Sequence, residues 1–558
     1  MISMKTKNLF FSIILSIVLL FSACDDFLVN EPSNYIAGNA LTEEHFTLLV
    51  GPLYTRAWFE FNDKFYFGLG DGMAYNLNGP YSDYIYQFSD LAVTGLTGPL
   101  FAAWKSLYMV AGRATSITTI IEARATDPEL KNQFQAEARF IRGTAYWYIA
   151  SLWGNSIIVH DEQALLANPI VNTNSKKDVY EYAIRDLEFA AKYLPETAVE
   201  GRVNRNSAFG MLSRLYLDYS GFVASNYGEN PNCGTRDVYY LDLAKKAAEK
   251  VISSNTHSLM TNYDDLFRIE NNNNSESLFA LQWVPGLNST TGYGSINSNQ
   301  AYFAFGSIVT GDDAAWGGGG TGCPYDMAKE YEENDIIRRK ATWMGNGDHY
   351  PEINKADGGL TYNEVTFSAA PRWLSVKKGV TGSNKDNLAI GRMNSALNSY
   401  MLRLAEVYLN HAEAILGNSA STSDAVALAS FNAVRTRSGL PEKTSISWDD
   451  IRHERRVEFC LEGRYWYDLV ARSYYRQQEV INYLNNQNRG VVPPYLFDAP
   501  NNLRIDPSRD TGTRAVGLAT ASIFKLPYPE SELLQNPKLR EAPVPFEFTE
   551  ERITDLFN

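Results

Sequence analysis

Cysteine, histidine and positive charge are all scarce in this sequence of 558 residues. It has four cysteines and six histidines, and none of them stands in a CxxC or HExxH spacing, so neither a metal site nor a disulfide framework is predicted. Lys and Arg number 50 against 64 Asp and Glu, which gives a formal net charge of −14. A surface of this sign repels phosphate backbones, which argues against nucleic acid as a partner.

Motifs that hold cofactors or activate nucleophiles are missing as well. The sequence has no nucleophile elbow, phosphate loop or dinucleotide fingerprint, and the four glycines 317–320 lack the lysine that a phosphate loop needs. The pair Asp312 and Asp313 supplies too few oxygen ligands for calcium. No cofactor and no metal are therefore predicted.

The N-terminal apolar run is too short to cross a membrane as a helix. It covers 13 residues, from Leu9 to Phe21, and follows Lys5 and Lys7, whereas a transmembrane helix needs about 20 residues. This layout predicts a signal peptide over residues 1–23. Small residues precede Cys24, so we expect cleavage before Cys24 and lipidation of its thiol. The short polar stretch 24–40 then suits a lipidated tether.

Apolar residues at helical spacing dominate the rest of the chain, apart from a middle section. The pattern predicts an N-terminal helical region over 41–254, a loop-rich ligand-facing insertion over 255–398 and a C-terminal helical region over 399–558. Similar fragments recur at Ile141, Ser213 and Leu402, as in an array of helix pairs. The predicted fold is mainly α: a tetratricopeptide-like repeat scaffold of about four helix pairs, with long loop-rich insertions and a few short strands. The predicted helices before the insertion are 43–61, 100–125, 129–153, 177–194, 207–219 and 241–253, and a strand is predicted over 277–284.

The segment Tyr400–Arg472 predicts three further helices in a row. The second has Asp424 as its N-cap and ends at Gly439, the residue best able to adopt a positive φ there. The third begins at Ser447, which forms a capping box with Asp450. The pattern continues through Arg472, so the third helix is predicted to be unbroken.

Clustered carboxylates on this third helix allow two interpretations. Glu454 and Glu458 lie one turn apart, and a pair of carboxylates about 5 to 10 Å apart is what a glycoside hydrolase uses. However, Arg455, Arg456 and Arg464 alternate with them, a pattern typical of ion pairs that brace a helix. We favour the structural interpretation and predict no catalytic residue.

Aromatic residues in a predicted loop over 71–90 and in the loop-rich insertion 255–398 are the candidate site. Sugar rings stack on aromatic planes, and their hydroxyl groups bind amide and carboxyl groups, so rings mixed with such groups predict carbohydrate binding. The alternative is that the rings pack the loops onto the helices. Trp316 is the strongest candidate, because the flanking glycines offer it little packing. The predicted ligand-binding residues are Tyr75, Asn76, Asn78, Tyr81, Tyr84, Tyr293, Tyr302, Asp312 and Trp316.

Four stretches of the C-terminal region resemble a known family. RLAEVYLNHAEA, VRTRSGL and ERRVEFCLEGRYWYDL are similar, in order and spacing, to the signature of the SusD/RagB family, and KLPYPESELLQNP resembles its usual ending. Members are outer-membrane lipoproteins of Bacteroidetes that capture nutrients beside a TonB-dependent transporter. The resemblance implies a tetratricopeptide-like scaffold with a surface ligand site, a SusC-like TonB-dependent partner and binding without catalysis. Asp25 and Asp26 resemble the acidic tag that sends such lipoproteins to the cell surface.

The predicted function is therefore capture of an oligosaccharide or polysaccharide at the cell surface and its delivery to the transporter. Three alternatives stay open at this point. The cargo could be a peptide or a glycoprotein glycan, the chain could be a glycoside hydrolase, or it could be a scaffold without a ligand of its own.

Overall fold

The computed structural model describes most of the chain after the predicted tether. The described residues are 41–79, 85–284, 297–300, 322–363, 374–391, 394–490, 495–506, 508, 513 and 515–557. Within these ranges no helix combines the length and the apolar character that a membrane span requires. The predicted signal peptide and Cys24 lie outside the described residues.

Helices make up most of the described structure. Several long helices begin at a capping residue; the side chain of Asp127, for example, accepts the amide hydrogens of Glu129 and Leu130 before Pro128–Leu152. The helices are α1 Glu43–Val50, α2 Tyr86–Ser89, α3 Gly98–Arg124, α4 Pro128–Leu152, α5 Glu162–Ala167, α6 Lys176–Tyr193, α7 Arg205–Ala224, α8 Val238–Ser253, α9 Tyr325–Ala328, α10 Ile336–Thr342, α11 Leu404–Leu416, α12 Ala425–Arg437, α13 Trp448–Glu458, α14 Tyr465–Asn485 and α15 Glu530–Gln535.

The strands are short and pair only two at a time among the described residues. The pairs are β1 with β8, β2 with β5, β3 with β4, β6 with β7, β9 with β10 and β11 with β12, all antiparallel. Their bounds are β1 Ser277–Leu281, β2 Trp343–Met344, β3 His349–Tyr350, β4 Leu360–Thr361, β5 Ser375–Val376, β6 Ile390–Gly391, β7 Asn394–Ser395, β8 Ser399–Arg403, β9 Ser421–Thr422, β10 Ile446–Ser447, β11 Tyr495–Asp498 and β12 Asn502–Ile505.

The long helices stack in chain order. Helix α3 packs on α4, α4 on α6, α6 on α7, α7 on α8, α8 on α11, and α11 on α12. The insertion separates α8 from α11, yet the two helices are neighbours in the stack. This arrangement confirms the predicted tetratricopeptide-like array and the mainly α fold.

Local predictions succeed where a cap is involved. The side chain of Asp424 accepts hydrogen bonds from the amides of Val426 and Ala427, at 2.9 and 3.0 Å, and Ser447 and Asp450 form the predicted capping box. Gly439 has a φ of +77° just after α12. These positions depend on residues close in sequence, so the sequence was enough to find them.

The first helix and the stretch after it differ from the prediction. In place of one helix to residue 61, α1 ends at Val50, and two 3₁₀ segments, Gly51–Tyr54 and Arg56–Trp58, follow it. Pro52 has no amide hydrogen and cannot continue an α-helix. The stretch 71–90, predicted as a loop, begins inside the π-helical segment Gly68–Met73 and later contains α2.

The carboxylates of α13 belong to a buried ionic network. Glu458 accepts hydrogen bonds from Arg403 at 2.6 Å and Arg338 at 3.3 Å, and pairs with Arg437. Glu454 accepts from Arg338 at 2.5 Å and from Arg435 at 2.9 Å. The predicted ion pairs exist, but they join α13 to α10, β8 and α12. They do not run along one helix as the spacing suggested.

Burial alone would disfavour ionisation of Glu458, which has 0% exposure. The guanidinium groups of Arg437, Arg403 and Arg338 outweigh this effect and hold the pKa of Glu458 well below its usual range. Because the folded pKa lies below the unfolded value, the stabilisation is present above the unfolded pKa of about 4.3 and is lost as the pH falls below it.

We expect Glu458→Gln to lower the free energy of unfolding by about 3 to 5 kcal/mol at pH 7, since it leaves buried guanidinium groups without their anion. The difference from the wild type should shrink below pH 4, where the wild-type carboxylate also loses its advantage. Urea unfolding at pH 7.0 and at successively lower pH measures both effects. The control is Asp449→Asn on the exposed face of α13, with an expected loss under about 1 kcal/mol; equal losses in the two variants would contradict the prediction.

Candidate ligand-binding site

The predicted ligand-binding residues divide into two groups. Tyr75, Asn76 and Asn78 belong to the described structure. The other six lie outside the described residues, so their predicted contacts with a ligand stay predictions: Tyr81, Tyr84, Tyr293, Tyr302, Asp312 and Trp316.

Tyr75 packs inside the protein. Its side chain is 2% exposed, its hydroxyl donates to the carbonyl oxygen of Asn488 at 3.1 Å, and the guanidinium of Arg489 lies 4.8 Å from its ring centre. Its φ of +60° is unusual for a bulky residue. Tyr75 therefore fits the alternative interpretation of the sequence, in which an aromatic ring packs its loop onto the helices.

Asn76 and Asn78 are also buried, with 0% exposure each. The Nδ2 of Asn76 donates to Asp71 at 3.3 Å, and its Oδ1 accepts from the Nε of Arg456 at 2.8 Å. Asn78 exchanges backbone hydrogen bonds with Gly322. In this structure both side chains therefore support neighbouring residues, and their direct contact with a ligand stays a prediction.

What these residues support is a junction that we call the loop base, consisting of Asn78, Gly322, Cys323, Ser375 and Tyr495. The amide of Asn78 donates to Gly322 at 3.0 Å, the amide of Gly322 donates back at 2.8 Å, and Gly322 also bridges to Ser375. The hydroxyl of Tyr495 donates to the carbonyl of Cys323. The loop base therefore joins residues that are far apart in sequence.

The position of the loop base along the chain connects it to the predicted site. Asn78 lies just before residues 80–84, which include Tyr81 and Tyr84. Gly322 lies just after residues 301–321, which include Tyr302, Asp312 and Trp316. The two backbone hydrogen bonds between Asn78 and Gly322 thus join a residue just before the first of these stretches to the residue just after the second. Together the two stretches contain five of the six remaining candidates.

A second junction lies at Asn297, which follows residues 285–296 and Tyr293. Asn297 and Ser395 exchange backbone hydrogen bonds of 3.0 Å, and the Nδ2 of Asn297 donates to the carbonyl of Leu397 at 2.7 Å. Nearby, the Oε1 of Gln300 accepts from the amide of Thr381 at 2.6 Å. Sequence reasoning did not select these amide residues, because their partners lie about 80 to 100 positions further along the chain.

A cavity adjoins the second junction. Its lining includes Phe67, Phe267 and Tyr400 together with Asn297, Asn299 and Val376, and Val376 follows Ser375 of the loop base. Lys378 also lines it, but its ammonium is engaged by the hydroxyl of Tyr263 at 2.7 Å and by Glu462 at 2.9 Å. The cavity lining therefore combines apolar side chains with amide groups.

Helix α13 does not continue to Arg472 as predicted. It ends at Glu458, and α14 begins at Tyr465; the turn between them contains Leu461 at φ +62° and Gly463 at φ +64°. Asp71 holds this turn, since its carboxylate accepts the amide of Leu461 at 2.9 Å and that of Gly463 at 2.8 Å. Gly463 was the one signal of a break that the sequence offered.

The carboxylate of Asp71 is completely buried. Burial raises its pKa to about 6, although the amide hydrogens of Leu461 and Gly463 and the side chain of Asn76 favour its charged form and partly offset the rise. The two backbone amides identify Asp71 as the connection between the π-helical segment and the turn after α13.

Sequence and structure comparisons support the resemblance at the C-terminal end and extend it. A family model described as "SusD family" matches residues 226–544. A SusD-like protein of Bacteroides ovatus is 38% identical over 572 residues, covering 98% of this chain and 100% of the relative. The chain belongs to the SusD family. A second model, "Starch-binding associating with outer membrane", matches residues 81–217 and agrees with association with the outer membrane.

Solved structures of SusD-family members share the fold. One, described as a crystal structure with xylogluco-oligosaccharide, is 37% identical with a TM-score of 0.81 and covers 90% of this chain and 100% of that chain. A "Laminarin binding SusD-like protein" is 20% identical with a TM-score of 0.65, covering 89% and 98% of the two chains. The second likeness concerns the fold alone.

The structure also bears on the hydrolase alternative for this SusD-family chain. Glu454 has 0% exposure and both of its oxygens accept from arginines, so it has no access to a glycosidic bond. Among the described residues, no group of three or more His, Cys, Asp or Glu side chains is placed to hold a metal ion.

The close approach of the π-helical segment to the turn after α13 gives a stability prediction. A Cβ on Gly70 would overlap backbone atoms of Gly463, whereas a Cβ on Gly51 meets no atom within 4 Å. We expect Gly70→Ala to lower the free energy of unfolding by about 1 to 3 kcal/mol or more, because backbone atoms cannot easily move aside. Gly51→Ala, the matched control, should cause no loss in the same urea titration. Equal stability of the two variants would show that the contact is not tight.

Proposed function

We propose that this SusD-family chain is a cell-surface lipoprotein that binds an oligosaccharide and passes it to a partner TonB-dependent transporter of the outer membrane. The observation that carries the proposal is the loop base, because it joins the stretches that contain Tyr81, Tyr84, Tyr302, Asp312 and Trp316. A relative that is 37% identical was solved with xylogluco-oligosaccharide, which supports a glycan as the ligand.

The chemistry of these residues suits a sugar. Aromatic rings offer flat apolar faces to the C–H faces of sugar rings, and Asp312 offers a carboxylate to hydroxyl groups. Each stacking contact contributes about 1 kcal/mol, so two or three contacts with a few hydrogen bonds give about 4 to 8 kcal/mol, in the millimolar to micromolar range. An affinity of this size allows the protein to release its cargo to a transporter.

The predicted lipid on Cys24 supplies the attachment to the membrane in this proposal. Several acyl chains, as are usual on bacterial lipoproteins, give stable anchoring where a single chain does not. Residues 24–40 then act as the tether between the lipid and α1. Asp25 and Asp26 support an outward-facing location through their resemblance to an export tag.

Replacing Trp316 by Ala should weaken glycan binding by about 1 kcal/mol, or about fivefold in Kd, because one stacking surface is lost. The measurement is isothermal titration of the chain from Asp25 onward with xylogluco-oligosaccharide, and with any other glycan that binds in an array screen. Tyr239→Ala, at an exposed ring of α8, is the control and should change nothing. If no glycan binds, or if Trp316→Ala is without effect on every glycan that does, the sugar assignment fails.

A peptide cargo is the second candidate, favoured by the acidic balance of 50 basic to 64 acidic residues. Titration with a tryptic peptide mixture separates this possibility from a glycan. Product analysis after long incubation with a bound glycan tests hydrolysis, and we expect the glycan to be recovered intact.

A further inference from the structure

Arg456 connects the family signature to the loop base. This residue lies on α13, two positions before Glu458, and its side chain is 2% exposed. Its Nε donates to the Oδ1 of Asn76 at 2.8 Å, and its Nη2 lies 3.4 Å from the carbonyl oxygen of Tyr75. One guanidinium therefore contacts two successive residues of the segment that leads to the loop base.

The segment that Arg456 contacts is short and fixed at its other end. Asn78 lies two positions after Asn76 and pairs with Gly322 through two backbone hydrogen bonds. The amide of Asn76 also donates to the carbonyl of Asp71 at 2.8 Å. A displacement of Asn76 would thus be transmitted within two residues to the loop base.

The positive φ of Tyr75 makes such a displacement favourable when the contacts are lost. A φ of +60° is strained backbone for a residue with a bulky side chain, so the surrounding contacts must hold the residue there. Arg456 contacts both residues joined by the peptide bond that follows Tyr75, at the carbonyl oxygen of Tyr75 and at the side chain of Asn76. The guanidinium group is suited to this role because it is planar and its N–H groups can donate to two oxygen atoms at once.

A second partner orients Arg456 itself. Its Nη1 donates to Glu330 at 2.5 Å, and its guanidinium carbon lies 5.5 Å from the ring centre of Tyr465. Burial raises the pKa of Glu330, but Arg456 and the neighbouring His453 and Arg452 lower it further than burial raises it, so the carboxylate is ionised. Arg456 is therefore held between Glu330 on one side and Asn76 on the other.

We infer that Arg456 is a positioning residue for the ligand-binding loops: through Asn76 and Tyr75 it fixes the loop base and thereby raises the affinity for a glycan. This inference rests on the proposed function and assigns part of that function to a buried residue without ligand contact. It predicts that α13, besides its role in packing, sets the geometry of the loop base.

The decisive variant is Arg456→Lys. Lysine keeps the positive charge that pairs with Glu330. Its single ammonium group cannot reproduce the two contacts that the guanidinium makes with Asn76 and Tyr75. The matched control is Arg452→Lys, one turn earlier on α13. Arg452 donates to the hydroxyls of Tyr465 and Tyr483. Its ion pairs are with Glu330 and Asp449, outside residues 71–79.

Amide hydrogen exchange measures the loop base without any ligand. In Arg456→Lys we expect the amides of Asn78 and Gly322 to exchange at least about tenfold faster than in the wild type, while amides in the middle of α4 are unchanged. Arg452→Lys should leave Asn78 and Gly322 as in the wild type. If Arg456→Lys does not change exchange at these two amides, or if Arg452→Lys changes it equally, the inference is wrong.

Titration with xylogluco-oligosaccharide tests the consequence for binding. We expect an affinity about fivefold to tenfold lower in Arg456→Lys and unchanged in Arg452→Lys. In a double-mutant cycle, Arg456→Lys should have a smaller effect in a Trp316→Ala background, because both changes act on the same loops; additive effects would overturn the positioning role. Faster exchange without any loss of affinity would overturn it as well. If the wild type binds no glycan at all, the proposed function fails, while the exchange experiment still decides the link between Arg456 and the loop base.

Discussion

The burial of Glu458 among three guanidinium groups is the constraint on which the C-terminal half of the structure depends. An unpaired charge in this position would destabilise the fold by several kcal/mol. The carboxylate therefore requires Arg338 of α10, Arg403 of β8 and Arg437 of α12 to reach the same point. Elements that are far apart in sequence are brought into a single arrangement, and α13 lies at its centre.

The loop base follows from the placement of α13. Once Glu458 is fixed, Arg456 on the same helix contacts Asn76, and the turn after the helix presents the amides of Leu461 and Gly463 to Asp71. Two independent sets of bonds thus hold the segment that leads to the loop base. Most of the SusD-family signature is buried, and through α13 it supports the residues of the loop base.

The same burial argues against a catalytic role for Glu454 and Glu458. A catalytic carboxylate needs access to substrate and freedom to exchange protons, and Glu454 and Glu458 have neither, because arginines occupy their oxygens and burial excludes water. The candidates for ligand contact are aromatic rings and a carboxylate on stretches joined at the loop base. Such groups can hold a sugar reversibly, as the proposed delivery to a transporter requires.

The sequence alone determined the helical array, its caps and the family, since helix periodicity, capping residues and a contiguous signature each depend on residues within a few positions of one another. Only the tertiary structure decided that Tyr75, Asn76 and Asn78 are buried supports and that the carboxylates of α13 pair with distant arginines. The break after α13 also depends on a distant residue, Asp71, some 390 positions from its partners. Local patterns predict local hydrogen bonds, whereas burial and long-range ion pairs are determined only when the chain has folded. For this reason the buried residues that support the candidate site could not be predicted from the sequence.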